Sequence, residues 1–103
     1  MREYKKYRSR YDVTYKILQV ISDNPFILNG ELTVKSNVSN NVLNKYMEAF
    51  VRHGIIDPVS LTRTGIKTTY TGYKISEIGM RALDKINNFI EQFGWINEIN
   101  TYK

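Results

Sequence analysis

The residues best suited to specific recognition chemistry are three asparagines, Asn40, Asn41 and Asn44, which follow Ser39 at the start of a predicted helix. An asparagine carboxamide donates and accepts hydrogen bonds at once, and this pattern matches the edge that adenine presents in the major groove of DNA. Ser39 is the expected N-cap, because its hydroxyl can accept from the unpaired N–H groups of the first turn. The alternative is that Ser39, Asn40 and Asn41 only cap the helix and stay solvated.

Basic residues form two separate groups. The first ten residues contain five cations and one acid, Glu3, and no acid occurs between Asp57 and Glu77 although Arg63, Lys67 and Lys74 lie there. With a net charge of +5 over 103 residues, two basic patches favour a polyanionic partner, whose phosphates would attract them regardless of base sequence. The alternative for either patch is solubility alone.

The sequence contains few residues suited to catalysis or metal binding. The chain has no cysteine and a single histidine, His53, so thiolate zinc sites and a Cys nucleophile are excluded and a nucleophile-base pair lacks its usual residues. The ten acids are scattered without a pair or triplet whose spacing suggests shared acid-base work. We therefore expect a protein that is not an enzyme and needs no cofactor.

The first half of the chain predicts helices. Residues 11–23 carry apolar side chains at helical spacing, and Asn24-Pro25 ends that helix because proline disfavours helical geometry in the preceding residue. Residues 26–28 predict a brief strand, and Asn29 could cap a short helix over residues 30–35.

The helix that follows Ser39 has an apolar stripe and a polar side, and Gly54 supplies its stop. The stripe consists of Leu43, Tyr46, Met47, Phe50 and Val51. The polar side carries Asn40, Asn41, Asn44, Lys45, Glu48 and Arg52. The stripe is expected to pack in the core, which leaves the polar side free to contact a partner.

The second half predicts a hairpin and a final helix. Residues 55–61 and 68–75 are extended, and Gly65 lies in the turn between them. Ser76 caps the last helix, over residues 77–93, and Glu77 lies favourably near the positive end of its dipole.

Three segments, "RSRYDVTYKIL", "NVSNNVLNKYMEAFVRHGII" and "YKISEIGMRALDKI", resemble the small winged-helix DNA-binding proteins of archaea and their viruses and plasmids, over residues 8–93. The resemblance implies an α+β, mainly α fold: a winged helix-turn-helix with a two-stranded wing hairpin and an additional C-terminal helix. It also implies that the third helix enters the major groove, that the wing contacts the backbone or minor groove, and that the last helix pairs two subunits. The chain divides into a basic arm (residues 1–10), the winged domain (11–75) and the C-terminal helix with its tail (76–103).

Four groups of residues are expected to form contacts. The recognition-helix group is Ser39, Asn40, Asn41, Asn44, Lys45 and Arg52. The wing group is Arg63, Thr64, Lys67 and Thr68. The arm group is Lys5, Lys6, Arg8 and Arg10. The dimer group is Ala82, Leu83, Ile86, Phe89, Ile90, Phe93 and Trp95.

Two of these groups leave alternatives open. The arm could lie along a minor groove, it could be a frayed terminus that only raises local concentration on DNA, or Tyr4 and Tyr7 could pack on a neighbouring subunit. The apolar residues of the last helix lie on two adjoining stripes, so that one stripe covers the core while the other meets a second copy. A monomer whose last helix lies across the first is the alternative.

The leading hypothesis is a homodimeric, sequence-specific regulator of transcription that binds double-stranded DNA. A non-specific architectural DNA-binding protein and a winged-helix module that binds an acidic protein are the alternatives. No apolar run approaches the roughly 18 residues of a membrane span, and no polar cluster indicates a small-molecule effector. The expected compartment is the cytoplasm, which is the host's if the protein is viral.

Overall fold

The computed structural model describes residues 9–62, 65 and 68–99. Its helices are α1 (Arg10–Asp23), α2 (Asn29–Ser36), α3 (Asn40–Arg52) and α4 (Glu77–Phe93), followed by a 3-10 helix at Gly94–Glu98. Its strands are β1 (Ile27–Leu28), β2 (Ile56–Thr62) and β3 (Thr69–Ile75). This order of elements confirms the predicted mainly helical winged helix-turn-helix with an additional C-terminal helix.

The sheet has three antiparallel strands in the order β1-β3-β2. In β2 and β3 Ile56 pairs with Ile75 and Thr62 pairs with Thr69, which forms the predicted hairpin. The two-residue strand β1 adds to the free edge of β3, where Leu28 pairs with Gly72. Only glycine fits there, because a Cβ at position 72 would lie 2.6 Å from the carbonyl oxygen of Phe26.

The core lies where α1, α2 and α3 meet the sheet. Its buried apolar residues are Ile17, Leu18, Val20, Ile21, Ile27, Leu32, Val38, Leu43, Met47, Phe50, Ile56 and Leu83. The members on α1 and α3 recur at three- and four-residue spacings, so helical periodicity places them on one face of each helix.

The N-terminus of α4 is joined to the α3–β2 connection by Ser76. The hydroxyl of Ser76 accepts from the Gly79 amide at 3.0 Å and contacts the carbonyl oxygens of Gly54 and Ile55 at 2.5 and 2.9 Å. Gly79 packs so closely on Ile55 that an added Cβ would overlap the Ile55 carbonyl oxygen. The predicted cap therefore also fixes the direction in which α4 leaves the sheet.

The structure changes three details of the expected elements. Ser9 caps α1 in a capping box with Asp12, so the helix begins at Arg10, one residue before its expected start. Asn29 is the first residue of α2 and not its cap, which is Leu28. Val51 was placed in the apolar stripe of α3, but its side chain is 39% exposed, because it lies at the edge of that stripe.

Candidate nucleic-acid interface

The polar side of α3 is exposed along the whole helix. Leu43, Met47 and Phe50 are buried, whereas the opposite side carries exposed Asn40, Asn41, Asn44, Lys45, Glu48 and Arg52. Ser39 caps the helix, since its hydroxyl accepts from the Val42 amide at 3.4 Å. Its hydroxyl therefore serves the helix start, and the neighbouring carboxamides remain at the surface.

An open groove of about 820 Å³ separates the polar side of α3 from the sheet. It is lined by Asn29, Asn44, Met47, Glu48, Val51, Arg52, Pro58, Thr71 and Tyr73. Asn44 and Arg52 were expected at a site, whereas Asn29, Glu48, Thr71 and Tyr73 were not. Strand alternation places Thr71 and Tyr73 on one face, but nothing in the sequence indicates that this face borders α3.

Glu48 and Arg52 are one helical turn apart at the edge of this groove. Glu77 and Arg81 have the same spacing on α4 and form an ion pair at 3.2 Å. Among the described residues Glu48 and Arg52 form no such pair. The guanidinium of Arg52 is therefore available to a phosphate, and the carboxylate of Glu48 is available to a hydrogen-bond donor such as the amino group of cytosine.

One face of the hairpin carries a row of hydroxyl groups. Ser60 pairs with Thr71 and Thr62 pairs with Thr69, and all four side chains are exposed. Because side chains alternate along a strand, they lie on the face that also carries Pro58 and Tyr73 and borders the groove. Short hydroxyl side chains in such a row suit the phosphate and sugar contacts that position a protein on DNA.

Several expected contact residues fall outside the described part of the chain. Arg63, Thr64 and Lys67 of the wing, and Lys5, Lys6 and Arg8 of the arm, lie outside the described residues. Thr68 is exposed beside the start of β3, and Arg10 is the exposed first residue of α1. These two are therefore the members of the wing and arm groups that the structure locates.

Positive charge is concentrated in the same segments. The described residues contain eight of the 15 Lys and Arg residues and nine of the ten acids, so they are close to neutral. The excess of cations belongs to the arm, to Arg63 and Lys67, and to Lys103. Long-range attraction to a polyanion would therefore come mainly from the arm and the wing tip, and α3 would contribute mainly short-range contacts.

The last helix presents an apolar surface beside α1, against which it packs. Leu83 is buried in the core at 8% exposure, and Ala82, Ile86 and Ile90 are partly buried. Phe89 and Phe93 are each 42% exposed and Trp95 is 55% exposed. The indole N–H of Trp95 donates to the Gln92 carbonyl oxygen at 2.8 Å, so this polar group has a partner within its own chain.

Within 9–62, 65 and 68–99, no three His, Cys, Asp or Glu side chains form a group that could hold a metal ion. In the same ranges none of the helices has the combined length and hydropathy needed to cross a membrane.

Solved structures with the same fold include transcriptional regulators. The PcaV regulator from Streptomyces coelicolor, in complex with its natural ligand, matches with a TM-score of 0.70 and 10% identity, over 94% of this chain and 67% of that chain. NadR in complex with 4-hydroxyphenylacetate matches with a TM-score of 0.61 and 14% identity, over 95% and 85% of the two chains. The zinc-dependent MarR family regulator AdcR, in its Zn(II)-bound state, matches with a TM-score of 0.55 and 16% identity, over 92% and 62%.

At these identities the three structures show that the fold is shared. A search of curated protein sequences finds no match. A family profile described as winged helix-turn-helix matches residues 7–93, which contain all four α-helices and the wing described above. This match supports a DNA-binding regulator, and the chain belongs to the winged helix-turn-helix family.

Proposed function

We propose that this protein is a homodimeric transcription regulator that binds a specific sequence of double-stranded DNA. In this proposal α3 enters the major groove, and the hairpin with its tip follows the adjacent backbone or minor groove. It acts in the cytoplasm by occupying its site and needs no cofactor to bind.

The observation that carries the proposal is the exposed polar side of α3 at the edge of an open groove. Asn44, Glu48 and Arg52 all line this groove from α3. Together they offer a carboxamide, a carboxylate and a guanidinium, which are the groups that distinguish base edges in the major groove. Asn40 and Asn41 are exposed at the N-terminal end of the same helix, which is the end that contacts bases in helix-turn-helix proteins.

The hydroxyl groups of the hairpin and the cations of the arm and the wing tip support contacts with the DNA backbone. The exposed hydroxyls of Ser60, Thr62, Thr69 and Thr71 lie on the hairpin face that borders the groove. The cations of the arm and of the wing tip supply the positive charge that the described residues lack. This division of roles agrees with the general rule that phosphate contacts position a protein and base contacts specify its site.

The homodimer in the proposal uses the exposed apolar surface at the C-terminal end of α4. Phe89, Phe93 and Trp95 form this surface with Ala82, Ile86 and Ile90 at its partly buried edge. Leu83, which is 8% exposed, would support this surface from the core. A contiguous exposed patch of large apolar residues is typical of a protein-protein interface.

The competing functions make different use of the same surfaces. An architectural protein would need the arm and the wing but not the carboxamides and the carboxylate of α3. A protein-binding module would use the polar side of α3 with no duplex present. The presence of Glu48 at the groove favours sequence reading over coating, because an unpaired carboxylate opposes binding to any phosphate backbone unless it meets a base donor.

The test is a binding selection from a pool of random duplexes near physiological salt, followed by sequencing of the retained DNA. We expect an inverted repeat whose half-sites are about one helical turn, or roughly 10 base pairs, apart. DNA retained without enrichment would favour the architectural function instead. If the protein retains no duplex at all, the protein-binding alternative replaces the proposal.

A further inference from the structure

Asn29 of α2 contacts Asn44 of α3 across the helix-turn-helix. The Nδ2 amide of Asn29 donates to the Oδ1 carbonyl of Asn44 at 3.4 Å. Both residues line the groove between α3 and the sheet. A base-reading carboxamide is therefore held by a second carboxamide from the preceding helix.

The side chain of Asn29 is available for this contact because α2 is capped by other groups. Leu28 is the N-cap, and its amide donates to the Oε1 carboxylate oxygen of Glu31 at 3.4 Å. Asn29 lies inside the helix as its first residue and is half-buried. Its carboxamide extends toward α3 and does not close the end of its own helix.

The contact gives the carboxamide of Asn44 a direction. Its oxygen is turned toward Asn29 of α2, so the Nδ2 amino group, with two N–H donors, is turned away from Asn29. Asparagine reads adenine by donating to N7 and accepting from the N6 amino group, which requires its carbonyl oxygen to face the base. Guanine instead presents two adjacent acceptors, N7 and O6, to the major groove.

We propose that Asn29 is a positioning residue that makes Asn44 select guanine over adenine, by holding the Asn44 carbonyl oxygen on the protein side of the interface. This inference rests on the proposed function, since it specifies how α3 reads its site. The guanine preference of Asn44 replaces the adenine preference that an unrestrained asparagine would show.

The experiment compares binding selections for the native protein and for the Asn44→Ala, Asn29→Ala and Asn29→Asp variants. In the native protein we expect guanine at one position of each half-site, and Asn44→Ala should abolish that preference. Asn29→Ala frees the carboxamide of Asn44 to rotate, so the ratio of guanine to adenine at that position should fall about three- to tenfold, as for the loss of one hydrogen bond. Affinity for random duplex should stay within about twofold.

The Asn29→Asp variant tests which of the two residues donates the hydrogen bond. A carboxylate at position 29 can only accept, so it should attract the Asn44 amino group and turn the Asn44 oxygen toward the base. Preference at the same position should then move to a base that offers an amino donor, adenine or cytosine. Asn88→Ala is the matched control, because Asn88 is an exposed asparagine on the polar side of α4.

Nuclear magnetic resonance of the free protein tests the Asn29–Asn44 contact without DNA. In the free protein, the side-chain amide resonances of Asn44, identified by their loss in Asn44→Ala, should shift in Asn29→Ala and stay in place in Asn88→Ala. Unshifted resonances would overturn the inference whatever the DNA results are. Thermal unfolding of each variant checks that the fold is retained, as we expect from the capping of α2 by Leu28 and Glu31.

The outcomes separate this inference from the proposed function. If the native protein selects a site but Asn29→Ala selects the same base with the same ratio, the positioning role is wrong and the regulator remains. A uniform loss of affinity on every duplex would make Asn29 a backbone contact and would likewise overturn the role. A native protein that enriches no sequence overturns both.

Discussion

The rings of Tyr11 and Phe89 lie with their centroids 5.0 Å apart and their planes tilted by 42°. Phe89 is in turn 5.4 Å from Phe93, so one aromatic row joins the start of α1 to the end of α4. With Ile90 and Ile96 these rings border a cavity of about 250 Å³. The contact fixes α4 across α1 within one chain and leaves the outer faces of the rings exposed.

The proposed dimer predicts that Trp95→Glu separates the subunits. A charge in the centre of an apolar interface should weaken association by about 2 kcal/mol or more, as at other interface anchors. Sedimentation equilibrium should give the native protein twice the mass of one chain and the variant a single-chain mass at the same concentration. Val34→Glu is the control, because Val34 is 79% exposed on α2. A native mass that stays at one chain over all concentrations would contradict the dimer.

The base-reading helix predicts a selective effect of Asn41→Ala. Loss of this carboxamide should weaken binding to the preferred duplex by about 1 to 3 kcal/mol and leave binding to random duplex nearly unchanged. The same holds for Asn44→Ala. Titration of both duplexes at one salt concentration measures the difference, with Asn88→Ala as control. Equal losses on the two duplexes would show that these residues do not read bases.

The carboxylate at the groove predicts that Glu48→Gln strengthens binding to random duplex. Removing one negative charge near the phosphates should improve this binding by about 0.5 to 1 kcal/mol at low salt, and the gain should shrink as salt rises. Discrimination between preferred and random duplex should fall at the same time. Glu91→Gln, an exposed residue of α4, should change neither quantity. An unchanged affinity for random duplex would place Glu48 away from the DNA.

The wing predicts a change in salt dependence when Arg63 and Lys67 are both replaced by alanine. Each phosphate contact adds about 0.9 to the steepness with which the logarithm of the binding constant falls against the logarithm of the salt concentration. Losing two contacts should therefore make this dependence shallower by about 1.8. Replacing Arg81 and Lys85 on α4 removes the same charge from a different part of the chain and should leave the slope close to that of the native protein. If both pairs change the slope equally, net charge and not wing contact explains the binding.

The cap of α4 predicts that Ser76→Ala destabilises the fold more than Ser39→Ala. Both variants lose a helix cap, which costs about 1 kcal/mol. Ser76→Ala also removes hydroxyl contacts with the carbonyl oxygens of Gly54 and Ile55, so its total cost should be about 2 kcal/mol. Urea unfolding of the two variants measures the difference. Similar urea midpoints of unfolding for the two variants would mean that these carbonyl contacts add no stability.

Local sequence signals gave most of the element boundaries. Helical periodicity with the caps Ser39 and Ser76 predicted α3 and α4, and the turn around Gly65 predicted the hairpin. These signals work because capping and periodicity depend on residues only a few positions apart. The expected cap at Asn29 was wrong, since Leu28 and Glu31 supply the start of α2.

The composition and patterning of the chain by themselves determined a small, mainly helical winged domain whose positive charge lies in the arm and the wing tip, because charge and periodicity are properties of neighbouring residues. Only the tertiary structure decided that β1 pairs with β3, that Asn29 reaches Asn44 and that Leu83 is buried while Phe93 is exposed. Each of these facts depends on how elements distant in sequence pack against one another. Periodicity shows that a helix has an apolar stripe, but the neighbour that covers part of the stripe decides which residues remain for a partner.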